Sequence, residues 1–575
     1  MLFRRLGCVA ALAAAVVIEI SCGQVYRPVV IPIDTTPPDP SSFHAVFAIS
    51  NNAAFNPGSA LQIDVAGDTN IGVANMGVNP THAGAVPNNS RIFVASAGSA
   101  LGPGNADIVT AFTPASDSST ATGLGNPTVF TLPAGSLPVF VNTTQSSEVF
   151  VANFGTNSVS GLSAITNAVN LTGNVGANPV ALAETLNNQH LYVANQADGT
   201  VTDLSPTDLT TQATIAVGNK PVWAVARKDS RRVYVITQGD GQLVAIDTAT
   251  DTVLPSQTNL SVGAGANFVL YDPNLGRLYV TNPLSGSVYV FSTTGGVDSG
   301  GNANDTPTLL GTIAMNGGAN PPCANTCSPV SVAALPDGSR FYVASYQLLP
   351  SCPDSNVGAG TPCIIPMLTV FQAASLAQKP ISGSLLSPSI SLLSSPQYSA
   401  TQYALPVVAA CTTAATYSPS STRFRMFATA AADSSHVYVS LCDGGSVADV
   451  AAVTTSIATG TNNPDTLITN VNAPFGTCTS ASCLTTSTIT GFSISGNVVT
   501  FAAANQFVPG EKVVISGLTT GTYLNGTTLR VIATGLSTTQ FEANFTYDDV
   551  TLTADSGTAV PLPPLQTPLF LLTGQ

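Results

Sequence analysis

The sequence predicts an all-β chain in which one unit of four short strands is repeated along most of its length. Three observations predict it. A short apolar run recurs at Val46 (VFAIS), Ile92 (IFVAS), Val149 (VFVAN), Leu191 (LYVAN), Val233 (VYVIT), Leu278 (LYVTN), Phe341 (FYVAS) and Val437 (VYVSL). The copies start 46, 57, 42, 42, 45, 63 and 96 residues apart, and the values of 42–46 match a unit of four strands. Composition agrees: apolar residues reach 44% but charged residues only 8%, with 49 Gly and 40 Pro. Ser, Thr and Asn supply the polarity, which favours strands and turns over surface helices rich in Glu, Lys and Arg.

One unit shows the anatomy. Asn178-Pro179-Val180-Ala181-Leu182-Ala183 reads as a first strand, Leu191 onward as a second, Gly199-Thr200-Val201-Thr202-Asp203-Leu204 as a third and 211–217 as a fourth. Asn187-Asn188 and Asp198-Gly199 supply turns, and Lys220-Pro221-Val222-Trp223 opens the next unit. Proline fits at a strand start, where its fixed φ costs nothing and no ladder N–H is needed. Such a unit cannot cover both of its faces, because its Val, Tyr, Ala and Leu side chains alternate. Packing the units radially covers them and leaves only short edges, which is a β-propeller.

The run P-V-x-x, a turn, then Y-V-A/T-N and a third strand such as Val244-Ala245-Ile246-Asp247 resembles the YVTN family of β-propeller repeats. Tyr279-Val280-Thr281-Asn282 is the naming tetrapeptide in full, and the resemblance is best between 138 and 295. Residues 43–476 are therefore assigned to the propeller. Eight second strands imply eight blades, but the Val46 copy lacks a first strand. The segment 565–575, with Pro568-Leu569-Phe570-Leu571-Leu572-Thr573, could supply it from the other terminus. Seven blades, with the N-terminal copy completing the last, is the alternative.

Between 485 and 560 the rhythm changes. Hairpin signals around Gly496-Asn497 and the run PGEKVVISG predict a small all-β module, inserted in the last blade if the C-terminal strand closes the ring.

The first 22 residues read as an export signal: Arg4 and Arg5, then an apolar stretch at 6–18 too short to span a bilayer. Cys22 follows, and the arrangement resembles a bacterial lipoprotein signal, although Glu19 stands where that pattern prefers Leu. The resemblance implies lipidation at Cys22, a linker over 23–42, and a protein held at the cell envelope, in the periplasm or at the outer membrane or cell surface. Beyond Cys8 and Cys22 there are eight cysteines, an even number with close neighbours. In an oxidising compartment the simple pairing is Cys323–Cys327, Cys352–Cys363, Cys411–Cys442 and Cys478–Cys483. Zinc is the rival reading, but no His lies near them.

The formal net charge of −14 repels phosphate backbones, so no nucleic-acid partner is expected, and membrane contact is expected only through the lipid anchor. His190 and His436 occupy the slot before the second strand that elsewhere holds Arg91, Glu148, Arg232, Arg277 or Arg340, an exposed polar position at a turn. Asp198-Gly199, Asp240-Gly241 and Asp443-Gly444 read as hairpin turns rather than calcium ligands. The repeated Tyr192, Tyr234, Tyr279, Tyr342 and Tyr438 read as core, and Trp223 as blade packing. No nucleophile elbow, zinc-protease helix or phosphate loop occurs, so no catalytic, cofactor-binding or metal-ligating residue and no cofactor is assigned. The preferred expectation is a non-enzymatic, exported scaffold that binds a protein or glycan partner. The alternative is a propeller hydrolase or lactonase with its site at the central channel, because lactonases resemble this repeat.

Overall fold

The computed structural model describes residues 45–561 and 567–573, apart from short internal stretches of which the longest are 115–123, 295–304 and 473–485. Eight antiparallel sheets of four strands form the blades of a propeller, with a fifth short strand added to the seventh. The innermost strands touch in succession and close a ring: Thr567–Thr573, Pro80–Ala85, Pro138–Asn142, Pro179–Glu184, Pro221–Ala226, Phe268–Asp272, Ser328–Ala334 and Met426–Ala430. Eight blades is therefore the count, and the seven-blade alternative falls. Thr567–Thr573 pairs with Ala45–Asn51, so the two ends of the chain share the first blade and the ring has no open seam.

The repeat residues explain the packing. Each second strand is the buried middle of its sheet, and Tyr192, Tyr234, Tyr279, Tyr342 and Tyr438 are among the largest fully buried side chains. The Asn that ends several second strands ties neighbouring segments: Asn282 Oδ1 accepts the Leu284 and Ser285 N–H groups of the following turn (both 3.0 Å), while its amide nitrogen holds the loop before the blade. Asn195 Nδ2 donates to Thr200 and Thr202 hydroxyls (3.1 and 2.9 Å), and Asn282 Nδ2 donates to the Val262, Gly263 and Ala264 carbonyls (2.8, 3.0 and 3.1 Å).

Six strands, from Ser487–Ser495 to Val550–Pro561, close into a small barrel around its own core of Phe492, Phe501, Phe541 and Val513. It follows the outer strand of the eighth blade (Thr466–Asn472) and precedes the ring-closing strand, so it lies in the connection between the eighth blade and the first. Its Gly496 and Asn497 both have positive φ (57° and 64°), as a tight hairpin of this hand requires.

Cys323–Cys327 and Cys411–Cys442 are disulfides. Cys352 and Cys363, expected as a third bond, are buried free thiols. They lie side by side, and burial together with the Cys352 thiol pushes the Cys363 thiol up. Cys478 and Cys483, like Cys22 and the whole export signal, lie outside the described residues.

Candidate functional site

The channel residues come from one repeat position. In six blades the innermost strand begins Pro-x-Φ or Pro-x-small, and its pairing slips by one residue just after the proline: Pro80/His82, Pro138/Phe140, Pro179/Ala181, Pro221/Trp223, Pro329/Ser331 and, in the closing strand, Pro568/Phe570. Such a bulge re-aims the next side chain. It places His82, Phe140, Trp223 and Phe570 on the axis, joined there by Phe268 and Phe427 from blades without the proline.

These rings close the channel across its waist. His82 stacks on Phe140 with centroids 3.9 Å apart and an interplanar angle of 16°. Phe140 meets Trp223 at 5.3 Å, Trp223 meets Phe268 at 5.2 Å, Phe268 meets Phe427 at 5.7 Å, and Phe427 meets Phe570 at 4.4 Å. Phe570 returns to His82 at 4.5 Å, which completes the circuit. Each such pair adds roughly 0.5–1.5 kcal/mol beyond area burial. Burial holds His82 well below its ordinary value, helped by the nearby Arg423 charge, so the ring stays neutral while its Nδ1 accepts the Val141 N–H (3.2 Å). The expectation that Trp223 serves only blade packing is too narrow, because it sits at the centre of this partition.

One end of the channel opens as a cavity of about 600 Å³. Trp223, Phe140 and Phe570 line it from the axis, with Glu184, Asn142, Thr143 and Lys228 as polar groups. Glu184 ends its strand and is 3% exposed. Burial raises its carboxyl to about 7, against the pull of hydrogen bonds from Asn142 (Nδ2 to Oε2, 2.7 Å) and Gln145.

The other end is covered by the loop 407–425, which packs Tyr417, Arg423 and Phe424 against the waist. The Arg423 guanidinium lies over Tyr417, Trp223 and Phe140 at 4.2, 5.2 and 5.9 Å. Its Nη2 donates to the Val180 carbonyl (2.7 Å), beside the blade whose axial residue is only Ala181. Phe424 closes against Trp223, Phe268 and Phe427. The Cys411–Cys442 bond and a buried Arg425–Asp443 ion pair (2.8 Å) hold this loop to the eighth blade. Asp443 lies, as expected, in the hairpin turn between the second and third strands of its blade, a buried 3₁₀ turn over Cys442–Gly444.

At the rim of the ring the slot before the second strand differs from expectation. His436 is buried and His190 is mostly so, and in three blades the slot works as a clasp to the next blade, whereas Arg232 pairs with Asp247 of its own blade (3.0 Å). Arg91 donates to the Ala164 carbonyl and Asn167 (both 2.7 Å), Arg277 to the Ala373 carbonyl, and Arg340 to Asp465 (2.6 and 2.7 Å), each in the next blade. In the fourth blade His190 binds Asp203 (2.7 Å) and the Tyr192 hydroxyl donates to Asp251 of the fifth (2.7 Å). His190, Asp203 and Asp251 thus gather one ligand atom each within 4.8 Å, with Asp203 raised to about 6 by burial. By repeat position His190, Tyr192 and Asp251 match Arg340, Tyr342 and Asp465, so the Tyr192–Asp251 bond is the same clasp as Tyr342–Asp465, while His190 spends its ring nitrogen on Asp203 of its own blade.

Asp198 and Asp240 spend their carboxylates on the Ala177 and Asn219 backbone N–H groups (both 2.5 Å). No described helix is long and apolar enough to cross a membrane.

Several solved structures are distantly similar. The chain is similar to Kuenenia stuttgartiensis hydrazine synthase (15% identity over 69% of this chain and 96% of that one, TM-score 0.37). It is similar to Pseudomonas aeruginosa periplasmic gluconolactonase (14%, 58% and 94%, TM-score 0.41) and to the WD40 domain of Toxoplasma gondii coronin (10%, 57% and 75%, TM-score 0.39). No protein-family model matches the chain, and no curated protein sequence does. Likeness this distant leaves both fold and function to the chain's own geometry.

Proposed function

We propose that the protein is an exported, envelope-associated binding propeller of the YVTN type, which takes the end of a glycan in the Glu184-side mouth of its channel. One observation carries the reading: the aromatic waist blocks the channel and leaves a cavity with an aromatic floor and a polar rim. A sugar ring suits that pairing, with its apolar face on the rings and its hydroxyls on Asn142, Thr143, Glu184 and Lys228. The Arg4, Arg5 and Cys22 signal and the two disulfides support export. Mass analysis of the mature N-terminus is expected to find a lipid-modified Cys22, and an unmodified first residue elsewhere removes the anchor.

A second reading, hydrolysis of a lactone or glycoside, is favoured by one group. A carboxyl near 7 suits a general acid or base at neutral pH. Among the described residues the cavity has Glu184 as its one lining carboxylate, and Glu148, near enough to push that carboxyl further up, does not line it. Calorimetric titration with neutral mono- and oligosaccharides separates the two. Binding without turnover, weakened at least about tenfold in Glu184→Gln, supports the scaffold. Turnover of a lactone or glycoside that Glu184→Gln abolishes supports the enzyme.

A further inference from the structure

We infer a second binding site, for a small organic carboxylate, at the loop-covered end of the channel, with Arg423 as its anchor. Arg423 lines two cavities there, of about 170 and 380 Å³. No carboxylate among the described residues pairs with it, whereas Arg425, two residues on, has Asp443. Among the described residues its side chain's one hydrogen bond is Nη2 to the Val180 carbonyl, and Nη1 has no partner. Arg423 is half-buried, but a cationic nitrogen withdrawn from water with no partner, as Nη1 is, is costly unless an acceptor completes it.

The surroundings select the kind of anion. Aromatic rings crowd the guanidinium carbon, which leaves its nitrogens as the groups that bind a ligand. A planar two-oxygen group matches those nitrogens. The larger cavity adds apolar walls from Val222, Leu284 and Phe424 and the polar residues Gln238 and Asn267. Asn267 Oδ1 already accepts from Thr281 (2.8 Å), which leaves its amide nitrogen to donate. The chain's net charge of −14 opposes polyanions more than a single carboxylate. A monocarboxylate carrying a ring or short apolar body fits all of these features.

Benzoate is the probe, and benzamide is its neutral counterpart. Calorimetry on the full chain, followed also by the fluorescence of Trp223, the one tryptophan, is expected to give saturable benzoate binding at least about tenfold tighter than benzamide. Arg423→Gln is expected to abolish that preference, and Arg423→Lys to retain part of it. Arg91→Gln, at the rim, is expected to keep it whole. Equal binding of benzoate and benzamide, no saturable binding of either, or an unchanged preference in folded Arg423→Gln would overturn the inference. If Arg423→Gln does not fold, the two probes on the wild-type chain still decide.

Discussion

Glu184 carries its consequences at the scale of one carboxyl. Its folded value is raised from 4.5 to about 7, with burial as the main cause. The stability it contributes is therefore complete below about 4.5 and is lost as the pH rises through about 7. Glu184→Gln keeps an acceptor for Asn142 and cannot ionise. Relative to wild type it is expected to gain up to about 3 kcal/mol between pH 5 and pH 8, read from denaturant unfolding at each pH. A gap that does not change with pH would mean that the carboxyl is not buried as described. His82 acts in the opposite direction: its depressed value makes stability fall as the pH drops below about 6.5, where the unfolded chain takes the proton. Neither residue was identifiable from sequence. His82 had no spaced partner, and Glu184 sits at a strand end like many solvated acids. Both gain meaning only from the ring, which brings His82, Phe140 and Phe570 together across hundreds of residues.

The decisive element is the loop 407–425. It carries Arg423 and Phe424 onto the axis, and its anchors lie at Cys411 and Asp443. The disulfide closes a separation of 31 residues, so removing it with Cys411→Ser and Cys442→Ser is expected to cost about 3–4 kcal/mol in denaturant unfolding. It is also expected to expose Trp223 to acrylamide quenching. An unchanged midpoint and unchanged quenching would mean that the loop is held without it. The Cys411–Cys442 pairing was legible, because even numbers and close neighbours reduce the possibilities. The Arg425–Asp443 pair was not, since Asp443-Gly444 was readable as a hairpin turn, which it is, but its partner comes from the insertion that folds back onto it. The same insertion hid the role of Arg423, whose partner Val180 is 243 residues away in the chain.

Over the whole molecule, the ring depends on a strand borrowed from the C-terminus. Eight copies of the second strand made the blade number readable, and Pro568-Leu569-Phe570 repeats the Pro-x-Φ opening of the other innermost strands. The channel residue is the variable position after Pro-x in that repeat. It was visible as a position, but its direction depends on the bulge, which sequence alone does not reveal. A chain ending at Pro561 leaves Ala45–Asn51 as an unpaired inner edge and removes Phe570 from the waist. It is expected to unfold at lower temperature and less cooperatively, with a larger radius of gyration by small-angle scattering. Unfolding as sharp and as late as the full chain would mean that the closing strand is dispensable.

The claim that the Glu184-side mouth holds the ligand is tested most directly by filling it. Ala226 ends an innermost strand, is only half-buried and lines the cavity. Ala226→Phe is expected to occupy the mouth without disturbing the core. Calorimetry with the neutral saccharide panel is the measurement. The wild-type chain is expected to bind at least one member, and Ala226→Phe to bind it at least about tenfold more weakly at an unchanged melting temperature. No binding by the wild type, or equal affinity in the filled variant, would contradict the account.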